Sequence, residues 1–363
     1  MKTYTGINDK RLQIQKRNLI WVIALFVFFS TYFYVPPEYS DLGRYYDSLE
    51  TLSKFNNIMY AVLLMQEQDF DFIYTLIMLV ALNFGIKLQF VTALVCSIYW
   101  VIISKVFLKD LNKISHLVIL GFIGVVCFPN MMYVLSTARN VMAFLFLFMG
   151  FRLWSKNKKV WSIVFFILSV FTHLSCTIYI FLYFIVSLFY KIWLSKHPSW
   201  TNTLCLLFPV FMYLAGITLV NSIFMSPVMQ DIFGESTGYG SYVSKEVEGV
   251  TYDFIGIGEL VYLVSHILLV YVLINLDRRN SLQRVMTVFF FSMITMSYGC
   301  TYNLLVRFLL CTAFFYSSYI SDLISNISKN KVLLESFLRL SSVLLFLVFV
   351  WNFHGLIMKY WQF

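Results

Sequence analysis

Apolar blocks separated by short polar turns run the length of the chain. They cover 19–35, 71–86, 88–104, 114–130, 138–153, 160–174, 176–191, 203–223, 255–276, 285–300, 305–322 and 337–355. Most are about 17–22 residues long, the length at which a helix spans a bilayer. The pattern predicts an all-α, polytopic integral membrane protein with about 10–12 transmembrane helices. The first block follows a basic start as in a signal peptide, but it ends in bulky Tyr-Phe-Tyr-Val-Pro-Pro and lacks a small-residue cleavage site, so it reads as an uncleaved helix. Pro36 and Pro37 stop it. Without Gly/Ser linkers or an internal repeat, 1–363 reads as a single membrane domain. Two polar stretches stand out within it: 36–70, a first outer loop whose apolar second half lies on or dips into the membrane, and 224–254, a large outer loop.

Composition agrees with the pattern. Sixty per cent of the residues are hydrophobic and 12% charged, against about half and about a quarter in soluble domains. That excludes a cytosolic enzyme, a secreted disulfide scaffold and a disordered regulator. The net charge of +9 does not point to nucleic acid, because it is confined to particular turns. Lys2, Lys10, Arg11, Lys16 and Arg17 precede the first block. Arg152, Lys156, Lys158 and Lys159, then Arg278, Arg279 and Arg284, then Lys329 and Lys331 fill later turns. Short basic loops mark the cytoplasmic side. The intervening loops carry Glu38, Asp41, Asp47 and Glu50, and Asp231, Glu235, Glu246, Glu248 and Asp253. One conflict arises. With 36–54 outside and Lys105, Lys109 and Lys113 inside, an odd number of crossings must lie between, yet 71–86 and 88–104 make two. Either 55–67 crosses as a short helix, or one of these blocks is re-entrant. The six cysteines show no paired spacing, so neither a disulfide framework nor a zinc site is indicated. No GxxxxGK[ST] occurs, which removes nucleotide-driven transport by this chain alone.

A few charged residues interrupt the apolar blocks, and each costs about 2.5–3.5 kcal/mol at a helix centre. Arg139 stands at the outer mouth of its block, Arg307 a turn or two inside the outer face, and His173 at the outer end of 160–174. Asp41 and Arg44 lie in the first outer loop. Each has an ordinary reading: an interfacial anchor for Arg139, a structural ion pair for Arg307, a capping or packing role for His173, a solvated pair for Asp41 and Arg44. Together they describe an anion site better than they describe an accident. Guanidinium forks match phosphate oxygens bidentately where water is scarce, and a lipid-linked pyrophosphate at a membrane surface has that chemistry. Tyr45, Tyr46, Tyr239 and Tyr242 are placed to stack on sugars, although an interfacial aromatic belt also enriches tyrosine.

The stretch STARNVMAFLFLFMGFRLWSKNKKVWSIVFFILSVFTHLSCTIYIFLYFIV resembles the Wzy-type polysaccharide polymerases of the EpsG-like branch. An arginine opens a helix, a basic turn follows, and the next helix ends in Phe-x-His-x-Ser (Phe171, His173, Ser175). SDLGRYYDSL, GESTGYGSYVSKE and NLLVRFLLCTAFFY resemble further pieces of that family. Asp41 departs from the pattern, because relatives commonly place Gly-x-Asp before the tyrosine. The resemblance implies a GT-C-like glycosyltransferase architecture in the bacterial cytoplasmic (inner) membrane, with its active site on the periplasmic side. It implies polymerisation of undecaprenyl-pyrophosphate-linked oligosaccharide repeat units into O-antigen, capsule or exopolysaccharide, with no metal and no cofactor. Partners would be that substrate, membrane lipids and a chain-length regulator protein, with no nucleic acid. Arg139, Arg307 and Arg44 would hold pyrophosphate. His173, then Asp41, are the candidate bases. Rival readings are an O-antigen ligase or other lipid-linked sugar transferase, a transporter or flippase of lipid-linked sugars, and a polysaccharide acyltransferase.

Overall fold

The computed structural model describes residues 2–36, 41–52, 54, 72–129, 131–224, 279–298, 302–326 and 331–360. The loop 224–254 beyond Phe224, the block 255–276 and the segment 55–67 lie outside the described residues. Thirteen described α-helices follow one another: α1 (Lys2–Tyr32), α2 (Asp41–Leu52), α3 (Phe72–Asn83), α4 (Leu88–Leu108), α5 (His116–Cys127), α6 (Met131–Ser136), α7 (Ala138–Ser155), α8 (Lys159–Thr172), α9 (Cys176–Ile192), α10 (Pro198–Phe224), α11 (Leu282–Tyr298), α12 (Tyr302–Asn326) and α13 (Lys331–Tyr360). A 3₁₀ turn, Leu194–Lys196, joins α9 to α10. Five of these regions are long and apolar enough to cross a membrane: Lys10–Tyr32, Leu88–Leu108, Cys176–Lys196, Arg307–Asn326 and Leu334–Trp351. The chain is an all-α, multi-pass membrane protein.

Helices α4 and α12 form the centre, and α7 packs against both. Some of their polar side chains are satisfied internally, as an apolar surround demands. The Tyr99 hydroxyl donates to the Leu310 carbonyl at 2.8 Å, and the Trp100 indole to the Val126 carbonyl at 3.1 Å. Lipid-facing positions are large and apolar, among them Trp21, Trp161, Leu214 and Trp351.

The basic turns gather at one end of the bundle. Lys16 of α1 donates to the Lys109 carbonyl after α4. Arg279 meets Asp322 of α12 at 3.1 Å, and Arg284 donates to Asn202 of α10 at 2.6 Å. His116 of α5 meets Glu335 of α13 at 3.3 Å. This clustering follows the charge pattern of the sequence.

The crossing conflict resolves at α3. The helix has 12 residues. Both of its halves lie against α2: Thr75 bonds Tyr45, and Leu82 shares a cavity wall with Tyr46 and Glu50. A Schellman cap ends it, with Ile86 N–H on the Ala81 carbonyl, Gly85 N–H on the Leu82 carbonyl, both at 2.9 Å, and Gly85 at φ +71°. Among the described residues, α3 thus lies beside α2 at the end opposite the basic turns, and α4 runs from that end to the other.

Candidate active site

The α7–α8 hairpin sets the site. Gly150 of α7 lets the Phe166 ring of α8 lie against its backbone, where an added Cβ would stand 2.4 Å from the ring. Ser162 reaches across to donate to the Gly150 carbonyl at 2.8 Å. The turn closes at Asn157, φ 60°, with Asn157 N–H on the Trp154 carbonyl and Lys158 N–H on the Leu153 carbonyl, both at 3.0 Å. Asparagine is one of the few side chains that tolerates this left-handed cap position. Antiparallel packing through a tight turn brings the start of α7 beside the end of α8.

Arg139 is the second residue of α7 and His173 the residue just past α8. The backbone turns extended at His173, whose N–H still donates to the Ser169 carbonyl at 2.9 Å. Its own carbonyl accepts from Cys176 N–H at 3.0 Å, so both sides of the turn hold it. The side chain is 2% exposed. Arg307 enters from α12, five residues after its first, and is 9% exposed. The charges of Arg307 and Arg139 both act on His173. A proton on His173 would therefore need an incoming anion to balance the two guanidinium charges beside it.

The first outer loop joins the group through α2. The Arg139 guanidinium carbon lies 5.6 Å from the centre of the Tyr45 ring, a cation–π distance. Tyr45 bonds Thr75 of α3 and packs its ring 5.1 Å from that of Tyr74. Tyr46 bonds Thr92 of α4 at 2.5 Å. Sequence reading placed Tyr45 and Tyr46 on a sugar-stacking surface. Both rings are buried and both hydroxyls engaged, and they fix α2 against α3, α4 and Arg139. Asp41 and Arg44 are placed by backbone alone, as the first and fourth residues of that docked helix. Tyr239 and Tyr242 lie outside the described residues.

Beneath the charged group the interior is filled with packed aromatic rings. The Tyr179 ring lies 5.1 Å from both Phe144 and Phe308, joining α7, α9 and α12. Phe148 stacks on Phe314 at 4.4 Å one layer deeper. Fixed charges over an aromatic floor act at low dielectric, where they are worth most.

Several participants escaped sequence reading. Tyr74 and Thr75 sit in an apolar block with no charge to flag them, yet they anchor Tyr45, and the charge of Arg139 reaches Tyr74. The Oδ1 of Asn140, beside Arg139, and the Oγ of Ser175, two residues past His173, are buried without a hydrogen-bond partner among the described residues. Phe171 of the Phe-x-His-x-Ser motif faces outward, half exposed.

No curated protein and no solved structure matches the chain. The sequence model of the EpsG family matches residues 16–362, which takes in every helix of the site. With nearly its whole length matched, the chain belongs to the EpsG family, a family of Wzy-like polymerase-type membrane proteins.

Proposed function

We propose that the chain polymerises undecaprenyl-pyrophosphate-linked oligosaccharide repeat units at the periplasmic face of the bacterial inner membrane. The observation that carries this reading is the convergence of the Arg139 and Arg307 charges on buried His173 at the end of the bundle away from the basic turns. Family membership supports the coarser role, a polysaccharide polymerase.

In the reaction, a hydroxyl oxygen on the terminal sugar of a new lipid-linked unit attacks the anomeric carbon of the growing chain. The bond from that carbon to the pyrophosphate oxygen breaks as the new glycosidic bond forms. The carrier leaves as undecaprenyl pyrophosphate, and the hydroxyl proton passes to a base. Arg139 and Arg307 hold the departing diphosphate and its growing negative charge, a fixed-charge effect that is usually the largest in catalysis. His173 is the first choice for the base, a role worth about 10²–10⁴-fold. Asp41 is the second, with Arg44 holding phosphate or orienting it. One displacement inverts the anomeric centre. The packed floor of Tyr179, Phe144 and Phe308 favours a surface transferase over a transporter, whose substrate must pass through the middle.

The test is deletion of the gene, followed by a lipopolysaccharide or capsule gel. A ladder collapsing to a single repeat supports polymerisation. Loss of every rung points to a ligase or flippase, and an unchanged ladder removes the reading.

A further inference from the structure

A second polar feature lies on the other side of α2 from Arg139. A cavity of about 230 Å³ opens between α2 and the turn that joins α3 to α4. Tyr46 and Glu50, one helical turn apart on α2, form one wall. Gly85, Lys87 and Gln89 form the other.

Both walls are rigid. Tyr46 is buried and pinned to Thr92 at 2.5 Å. The opposite turn is locked by the cap at Gly85, whose missing side chain leaves open space, with nothing within 4 Å of an added Cβ. Glu50 and Lys87 are exposed and Gln89 is half-buried, so a carboxylate, an ammonium and an amide edge a mouth that has aromatic carbon at its back. Acceptors and donors spaced around a small mouth suit a ring bearing several hydroxyls. Opposite charges on the two walls suit a neutral ring better than an anion. At about 230 Å³ the cavity is smaller than the about 300–1,000 Å³ of drug-sized sites, which matches one sugar residue of a longer chain.

From this cavity we infer a saccharide subsite: Glu50, Lys87 and Gln89 bind one sugar of the oligosaccharide at its mouth, beside the edge of Tyr46. It rests on the polymerase reading for the identity of the sugar chain, and it adds a recognition point separate from the pyrophosphate-holding arginines. Because α2 carries both Tyr45, against Arg139, and Tyr46, at the cavity, a sugar seated there is held in fixed relation to the charged group.

The test uses the full chain purified into lipid nanodiscs. The probe is the host's own repeat-unit oligosaccharide, freed from its carrier by mild acid and followed by saturation-transfer NMR. The wild type should bind it. Glu50→Gln and Gln89→Ala should each weaken binding about tenfold, the usual consequence of losing a hydrogen bond to a charged or buried partner, with unchanged thermal melting. Lys196→Ala, exposed at the opposite end of the bundle, should bind the free oligosaccharide as the wild type does. Equal binding by the wild type, Glu50→Gln and Gln89→Ala would overturn the assignment, as would a wild type that binds nothing. A wild type that binds through the cavity but yields no polymer from lipid-linked units in the same nanodiscs would keep this subsite and remove the polymerase reading.

Discussion

Arg139 carries two different contacts, and they separate by substitution. The guanidinium rests on the Tyr45 ring, and its charge reaches His173. Arg139→Lys keeps the charge and loses the planar fork. If the fork grips a diphosphate, the lysine variant should lose about 10²-fold or more in polymer formed per unit time, close to the loss in Arg139→Ala. A full-length ladder from the lysine variant would show that charge alone suffices. His173→Gln keeps a polar side chain of similar reach and removes the base. It should slow chain growth by about 10²–10⁴-fold at an unchanged protein level, and an equal fall in protein level would assign His173 to packing. Arg139, Arg307 and His173 were legible because a charge in an apolar block has a cost that needs a reason. Tyr74 and Thr75 were not, since a tyrosine and a threonine in such a block have no cost to betray them. Their part follows only from α2 folding back onto α3.

At the scale of elements, the hairpin of α7 and α8 aligns Arg139 with His173, and it depends on Gly150. Gly150→Ala places a methyl group 2.4 Å from the Phe166 ring, which cannot swing clear as a flexible chain would. The helices must part, at a cost of about 1–3 kcal/mol. The expected result is a lower melting temperature and a shortened ladder, and the double variant Gly150→Ala, Phe166→Leu should recover part of both. A melt unchanged from wild type in the single variant would show that the close approach is unimportant. Boundaries here were readable from sequence: the blocks 138–153, 160–174 and 176–191 became Ala138–Ser155, Lys159–Thr172 and Cys176–Ile192, since Lys-Asn-Lys-Lys and the His-Leu-Ser turn interrupt apolar runs visibly. The block 71–86 misled, because its apolar length includes Phe84, Gly85 and Ile86, which belong to a cap rather than to helix. The block 114–130 concealed a break as well, with α5 ending at Cys127 ahead of Pro129.

For the whole molecule, the polarity of the bundle ties the geometry to a compartment. Basic residues at one end and Arg139, Arg307 and His173 at the other fit a chain whose basic turns remain in the cytoplasm. The sidedness of α3 then discriminates between two readings of the same sequence. If 71–86 crossed, Phe84 would emerge on the side opposite to the first outer loop. In the structure α3 stays against α2, so Phe84, 79% exposed, shares a side with that loop. Phe84→Cys should therefore react with a membrane-impermeant maleimide added to intact cells, or to cells whose outer membrane alone is permeabilised. Lys158→Cys, in the basic turn between α7 and α8, should react only after the inner membrane is opened. The described native cysteines are buried and contribute little background. Labelling of both positions from outside would place the basic turn and α3 on one side and undo the polarity. Labelling of neither in intact cells, with both reacting after lysis, would put Phe84 and the basic turn on one side and undo the placement of α3. Protection of Phe84→Cys by the freed oligosaccharide would further place sugar at the neighbouring α3–α4 turn, since Gly85 is the next residue along the chain.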